Sequence, residues 1–492
     1  MTETAKKKRG MPSSFTILLA LLAIVAVITV IVSGTSGGAV TAARLSDFCT
    51  APIKGFADAL PVCLFVMILG GFLGMMTETG ALDNGIAVLV QKLKGNEIML
   101  IPVLMLIFSL GGTTYGMCEE TVPFYALLAA TMMAAGFDPM VGAATVLLGA
   151  GCGCLGSTVN PFAVGAAVDA LTGVDIAVNQ SIIIGLGAVL WIVTTAMSIV
   201  FVMNYAKKVK ADKGSTILSM QELKAAEEAH GKAASEVHKE VKLTGRQKGV
   251  LIAFAFTFVV MIVGFIPLAD LNEGVANFFD AGAVYDADGN AVVQGWSALI
   301  TGLPIGQWYF DEASTWFFLM AILIGIIGGL SEKQIVNTFI TGAADMMSVV
   351  LVIALARGIS VLMANTGLDV YVLDAAANAL AGLSGVIFAP MSFLVYFGLS
   401  FLIPSTSGMA TVSMPIMGPL AVKLGFSPEV MVMIFSAAIG VVNLFTPTSG
   451  AIMGGLALAK IEWTTWLKFA LKLIVALSVV CAIILTVACV LL

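Results

Sequence analysis

Four short polar runs interrupt otherwise apolar sequence: Gly111–Gly116 (GGTTYG), Gly156–Pro161 (GSTVNP), Pro404–Gly408 (PSTSG) and Thr446–Gly450 (TPTSG). Unwinding a helix in lipid strands backbone N–H and C=O groups away from water at several kcal/mol each, so such breaks persist only where something polar meets them. A bound solute or ion does so. Helix N-termini freed by a break favour anionic groups, while carbonyl, hydroxyl and amide oxygens ligate Na⁺. The candidate solute contacts are therefore Thr113, Thr114, Tyr115, Ser157, Thr158, Asn160, Ser405, Thr406, Ser407, Asn443, Thr446, Thr448 and Ser449, with Na⁺ placed near Asn160 and Asn443. The plainer alternative is that Gly and Ser only permit close helix packing, but four breaks in matching places of one chain argue against it.

Two carboxylates, Glu119 and Glu120, follow the first of these runs, whereas Ala410 and Thr411 stand at the corresponding place after the third. An ionised carboxylate at membrane depth is costly unless it faces a polar cavity or a cation. The pair therefore points to a cationic solute, such as an amine or guanidinium, or to a coupling proton or Na⁺. A structural ion pair with Arg357 is the competing reading. Arg357 is the basic residue in the middle of an expected span (ALARGI) and needs a partner, with Asp345, Asp369 and a hairpin glutamate as candidates. It can instead hold a solute carboxylate.

The elements that position these residues follow from composition. Of 492 residues 59% are apolar and 11% charged, with a mean hydropathy of +1.03, which excludes a soluble globular domain of this size. Apolar runs of roughly 18–25 residues, with no strand-like alternation, point to an all-α polytopic membrane protein. Crossing helices are expected at 15–33, 59–77, 139–171, 180–204, 249–267, 315–330, 338–363, 428–460 and 464–491, with re-entrant hairpins at 98–135 and 386–424. The crossings at 139–171 and 428–460 contain breaks. Lys6, Lys7, Lys8 and Arg9 precede the first span, which lacks an A-x-A-like cleavage site and reads as an anchor with a cytoplasmic N-terminus. On that orientation all of the 24 Lys and Arg except Arg44, Lys54, Arg357 and Lys423 lie inside. The expected location is the bacterial cytoplasmic (inner) membrane.

Halves of the chain repeat one another. Thr79-Gly80 and Thr366-Gly367 each end a helix and precede an amphipathic stretch with Asp83 or Asp369. Gly116-Met117 and Gly408-Met409 each have a proline, Pro123 or Pro415, seven residues beyond the glycine. Gly136-Phe137 before Pro139 matches Gly425-Phe426 before Pro428, and the next helices break at Asn160-Pro161 and Thr446-Pro447. Five crossings, an odd number, separate the starting points Phe15 and Thr315, so the repeats must be inverted across the membrane. The helix at 249–267 has no counterpart and belongs with a scaffold.

Other signals are weak or negative. No Walker-type G-x-x-x-x-G-K-[ST], H-E-x-x-H or G-x-S-x-G sequence is present, so neither ATP-driven transport nor hydrolysis is indicated, and no enzyme or cofactor is expected. Seven cysteines without a C-x-x-C argue for buried thiols, and the 26 methionines for packing. His230 and His238 lie in a Lys-rich linker, 205–248, and read as solvated residues there rather than metal ligands. The acidic segment 268–314, without Lys or Arg, belongs outside.

GGTTYGMCEETVPFY at Gly111–Tyr125, GAGCGCLGSTVNPF at Gly149–Phe162, IPSTSG at Ile403–Gly408 and NLFTPTSG at Asn443–Gly450 closely resemble the YfcC-type basic amino acid antiporters, relatives of the DcuC-like C4-dicarboxylate carriers in the ion transporter superfamily. The resemblance runs over nearly the whole chain. It implies a homodimer working as an elevator, in which the hairpins and broken helices move against a fixed scaffold. Arginine and ornithine exchange is implied by the nearer members, and Na⁺- or proton-coupled dicarboxylate transport by the more distant. The organisation expected is an anchor and first scaffold helices over 1–97, a first transport half over 98–171, and scaffold helices over 172–267. After the outer loop, scaffold helices and an arm occupy 315–385, the second transport half 386–460, and a C-terminal scaffold helix 461–492. The expected partners are a cationic amino acid, the lipid bilayer and a second copy of the chain, with no nucleic acid.

Overall fold

The computed structural model describes residues 14–492 apart from 83, 86, 87, 89–95, 237–241, 267, 272, 287–290 and 404. The expectations on Asp83, His238 and Pro404 fall outside the described residues. Among the described residues helices dominate, with one two-stranded ribbon, β1 (Val284–Tyr285) with β2 (Ala291–Val293). Among the described residues eight helices are long and apolar enough to cross a membrane: Phe15–Ser33, Leu60–Glu78, Glu97–Tyr115, Gln180–Ala211, Gly245–Phe265, Phe310–Gly328, Met347–Thr366 and Trp463–Leu491. Seven match expected crossings. The remaining one, Glu97–Tyr115, is the first arm of an expected hairpin, and its own length suffices for a span.

The helices in chain order are α1 (Ser14–Ser33), α2 (Leu45–Asp58), α3 (Leu60–Glu78), α4 (Leu100–Tyr115), α5 (Val122–Ala134), α6 (Pro139–Leu155), α7 (Ala166–Thr172), α8 (Gln180–Ala211), α9 (Met220–Glu236) and α10 (Gly245–Phe265). After the ribbon come α11 (Phe310–Gly328), α12 (Glu332–Asp345), α13 (Met347–Thr366), α14 (Leu368–Leu380), α15 (Gly385–Leu402), α16 (Thr406–Lys423), α17 (Pro428–Val442), α18 (Gly450–Leu458) and α19 (Trp463–Leu491). The crossing expected at 338–363 is two helices, α12 and α13, divided at Met346. Capped by Ser331 and polar at Gln334 and Asn337, α12 has the amphipathic pattern of α2 rather than that of a span.

Two packed bodies emerge from the helix contacts. In one, α2 lies on α13, α12 and α11 on α3, α10 on α11 and α1 on α13. In the other, α4 and α5 pack on α6, and α15 and α16 on α17. Two helices expected in the scaffold join the second body: α8 packs on α6, α4 and α17, and α19 on α15 and α17. Glycines set the closest crossings. A Cβ on Gly55 would lie 2.3 Å from the Gly358 N, and one on Gly342 2.4 Å from the Gly70 O, so backbones meet where side chains would hold them apart. In the second body a Cβ on Gly112 would lie 2.2 Å from the Ala150 O.

The linker helix α9 docks rather than floating free. It packs on α5. Buried Glu222 accepts from the Glu462 N at 2.9 Å and the Ser219 N at 2.7 Å, and His230 Nε2 donates to the Leu458 carbonyl at 3.0 Å. Burial lowers the His230 pKa below its ordinary value, with Lys460 acting in the same direction. The undocked helix therefore binds a proton more readily than the docked one, and docking weakens as pH falls through about 6.5. The protection of the amides of residues 220–236, taken as exchange relative to the intrinsic rate at each pH, is expected to be greater at pH 8 than at pH 5.5, with His230→Gln flattening the difference.

Candidate functional site

Each break has a local cause. Helix α4 ends on Gly116 in the left-handed region (φ 78°), which glycine reaches without strain. Asn160 precedes Pro161 and caps the next turn, its Oδ1 accepting from the Phe162 N at 2.9 Å. Ser405 caps α16 by accepting from the Gly408 N at 3.1 Å, and Ser449 caps α18 by accepting from the Ile452 N at 3.5 Å. The N-termini of α16 and α18, whose remaining unpaired N–H groups carry partial positive charge, border the same cavity.

The four interruptions meet around one cavity of ≈ 170 Å³. Glu119, Glu120, Asn160, Ser405, Thr406, Ser407, Asn443, Thr448 and Ser449 line it from the hairpin body, and Val62, Ile353, Ala356, Arg357 and Phe310 from the other. Since one water needs roughly 10–15 Å³ of such space, a small solute fits.

Six of the candidate residues do not line the cavity. Thr113 Oγ1 donates to the Gly156 carbonyl at 2.6 Å, and the Thr113 carbonyl accepts from the Thr158 N at 2.9 Å and the Thr158 hydroxyl at 3.0 Å. These bonds tie the first hairpin tip to the broken helix. Thr114 donates back to Leu110 at 2.6 Å, as a hydroxyl within a helix often does. Buried Tyr115 stacks on Phe265, with ring centroids 5.6 Å apart. Ser157 donates to the Cys154 carbonyl at 2.6 Å and accepts from Asn160 Nδ2 at 2.9 Å. Thr446 pairs with the Thr448 hydroxyl at 2.7 Å. Both polar ends of Asn160 thus hold the break itself, although the residue also borders the cavity.

Arg357 has a partner that sequence reasoning missed. Its Nε donates to Asp58 Oδ2 at 3.0 Å, not to Asp345, Asp369 or a hairpin glutamate. Asp58 ends α2 just as Asp345 ends α12, and that correspondence is the signal that marked it. The two glutamates differ as well. Glu120 is buried and accepts from the Cys118 N at 2.9 Å, which fixes the tip. Glu119 is half-buried on the cavity wall and is in no salt bridge among the described residues. Cys154, whose thiol donates to the Met117 carbonyl at 3.4 Å, and Ser436, 3.5 Å from the Cys154 carbonyl, complete the polar wall. Neither carries a motif that would have singled it out. No grouping of His, Cys, Asp and Glu suited to a metal occurs among the described residues.

The family model described as DcuC, C4-dicarboxylate anaerobic carrier, matches residues 42–490. An uncharacterized protein of Haemophilus influenzae is 29% identical over 443 residues, covering 90% of this chain and 78% of its own. An Escherichia coli protein named "Putative basic amino acid antiporter YfcC" is 27% identical over 440 residues, covering 87% and 77%. Among solved structures, Neisseria gonorrhoeae MtrF, described as one of a class of antimetabolite efflux pumps, aligns over 98% of this chain and 96% of its own, at 17% identity and a TM-score of 0.44. The Alcanivorax borkumensis YdaH transporter aligns over 97% and 98%, at 15% identity and a TM-score of 0.47.

Proposed function

Because the chain belongs to the DcuC family it is a membrane transporter, and we propose that it exchanges cationic amino acids of the arginine and ornithine type by antiport. The observation that carries this reading is the charge around the cavity. Glu119 and Glu120 stand on its wall, and the one guanidinium there, Arg357, already faces Asp58. A dicarboxylate about 5 Å from either glutamate would meet about 3 kcal/mol of repulsion from each at an effective dielectric of about 20, whereas an amine or guanidinium would gain as much. The N-termini of α16 and α18 suit the α-carboxylate of an amino acid, and Glu119 its cationic side chain. The name of the Escherichia coli relative points the same way.

For mechanism we propose two inverted repeats working as an elevator within a homodimer in the inner membrane, the N-terminus being cytoplasmic. The matching glycine crossings, Gly55 on Gly358 and Gly342 on Gly70, support the repeat. The division into two bodies supports movement of one against the other, with α8 and α19 travelling with the hairpins.

A second reading, Na⁺- or proton-coupled carboxylate uptake, draws on the family description and the two helix N-termini. Proteoliposomes loaded with ornithine separate the two. Labelled arginine is expected to enter only against internal ornithine, and succinate not to accumulate on a Na⁺ or proton gradient. Succinate accumulation without arginine exchange would reverse the ranking.

A further inference from the structure

Stacked rings join the two bodies on one side of the cavity. Because α10 follows the linker that carries α9 and runs to Phe265, and α11 starts at Phe310 after the ribbon, Phe265 and Phe310 mark the end of the bundle opposite α9. There Tyr115, the last residue of α4, stacks on Phe265 with centroids 5.6 Å apart and an interplanar angle of 25°. Phe162, in the turn after the Asn160-Pro161 break, stacks on Phe310 at 5.2 Å and 23°, and meets Phe265 at 6.1 Å and Tyr309 at 6.4 Å. Tyr115 and Phe162 belong to the hairpin body, whereas Phe265 and Phe310 belong to the other. Phe162 and Phe310 also line the cavity, so this seam is its wall on the ribbon side. On the α9 side the same bodies stand apart across a cleft of ≈ 640 Å³, lined by small residues such as Gly70, Gly74, Ala126, Ala130 and Thr341 and by no Phe, Tyr or Trp.

A second observation lies inside the seam. The Tyr115 side chain is fully buried, and its hydroxyl has no hydrogen-bond partner among the described residues. Tyr396, just as buried but packed within the hairpin body, donates to the Ser413 hydroxyl at 3.2 Å. Tyr115 instead faces a ring of the opposite body, which offers its hydroxyl nothing. A buried donor left without a partner disfavours the arrangement that buries it, and water meets it once that arrangement opens.

We propose that this aromatic seam is the ribbon-side gate of the cavity: when the hairpin body moves, Phe162 parts from Phe310 and Tyr115 from Phe265, and the cavity opens to that face. The Tyr115 hydroxyl, unpaired while the gate is shut and hydrated when it is open, keeps the shut state from becoming too stable to leave. The gate rests on the movement of one body against the other proposed above, and not on which solute is carried.

In the full chain the native thiol of Cys154, on the cavity wall, reports the opening. Sealed vesicles of each orientation are treated, without solute, with a small membrane-impermeant cationic thiosulfonate, and the modification of Cys154 is followed by peptide mass mapping. An added Val292→Cys on the exposed ribbon identifies the vesicles whose ribbon side meets the reagent. From that side Phe310→Ala is expected to speed modification about ten-fold, with Phe310→Leu between it and the parent. Tyr115→Phe, alone or added to Phe310→Ala, should slow it about ten-fold, the scale of one buried unpaired hydroxyl. From the α9 side Phe310→Ala should give no increase. Rates that rise from both sides together, or that do not change as stated in Phe310→Ala or in Tyr115→Phe, overturn the proposal; should Phe310→Ala not yield folded protein, Tyr115→Phe decides it alone. If this pattern holds while arginine exchange is absent, the substrate reading alone fails; if exchange is present and the pattern is not, the gate alone fails.

Discussion

Glu119→Gln is expected to lower arginine–ornithine exchange at least about 100-fold in proteoliposomes, and Glu120→Gln only about ten-fold. Both side chains border the cavity, but they are held differently. Glu120 is occupied by the Cys118 N at 2.9 Å, a bond that a glutamine oxygen can still accept, so its loss of charge acts mainly through the shape of the tip. Glu119 is in no salt bridge among the described residues, is less buried than Glu120 and shares the cavity wall with Arg357, so the charge it carries is the one a solute meets. Removing one partner of a desolvated charge pair costs about 2–5 kcal/mol, and 100-fold corresponds to about 2.7 kcal/mol. Initial exchange rates, together with calorimetric binding in detergent, check the order of the two variants. Exchange within a few-fold of the parent in Glu119→Gln would place the cation site elsewhere.

The legible part of this molecule was its punctuation. Gly116, Pro161, Ser405 and Ser449 act on the backbone next to them, so each expected polar run contains or adjoins a break, although Gly111–Tyr115 of the first run stay helical and the fourth break already begins at Asn443. Which way each side chain turns was not legible, because it depends on a neighbour far along the chain. Thr113 and Thr158 look like solute ligands by type, yet they bond each other's segments across 45 positions. The divide at Met346 was blurred because Phe339, Ile340, Ala343 and Ala344 carry the apolar signal of α13 back into α12. Helices α8 and α19 gave no sign of their body, since a long uniformly apolar span presents no face that distinguishes one partner from another. Asp58 was not among the partners expected for Arg357, because their contact depends on how α2 lies on α13.

That contact yields the second large effect. In Asp58→Asn the guanidinium of Arg357 loses its counter-charge beside the cavity, so arginine exchange is expected to fall about ten-fold and succinate binding to rise by a similar factor. The effect is set below that of a fully buried pair because the Asp58 side chain is 52% exposed and that of Arg357 24%, and water screens part of the interaction. Arg357→Gln alone leaves Asp58 in place, adds net negative charge and is expected to preserve cation exchange while removing any succinate binding. The double variant Asp58→Asn/Arg357→Gln should then recover most of the exchange lost in Asp58→Asn, the non-additivity that marks two groups acting on each other rather than separately on the solute. Exchange and binding measured for all four forms decide it. If the double variant is as poor as Asp58→Asn, Asp58 touches the solute directly; if Asp58→Asn leaves selectivity unchanged, the sign of the cavity is set by the glutamates alone and Arg357 is a structural residue at its edge.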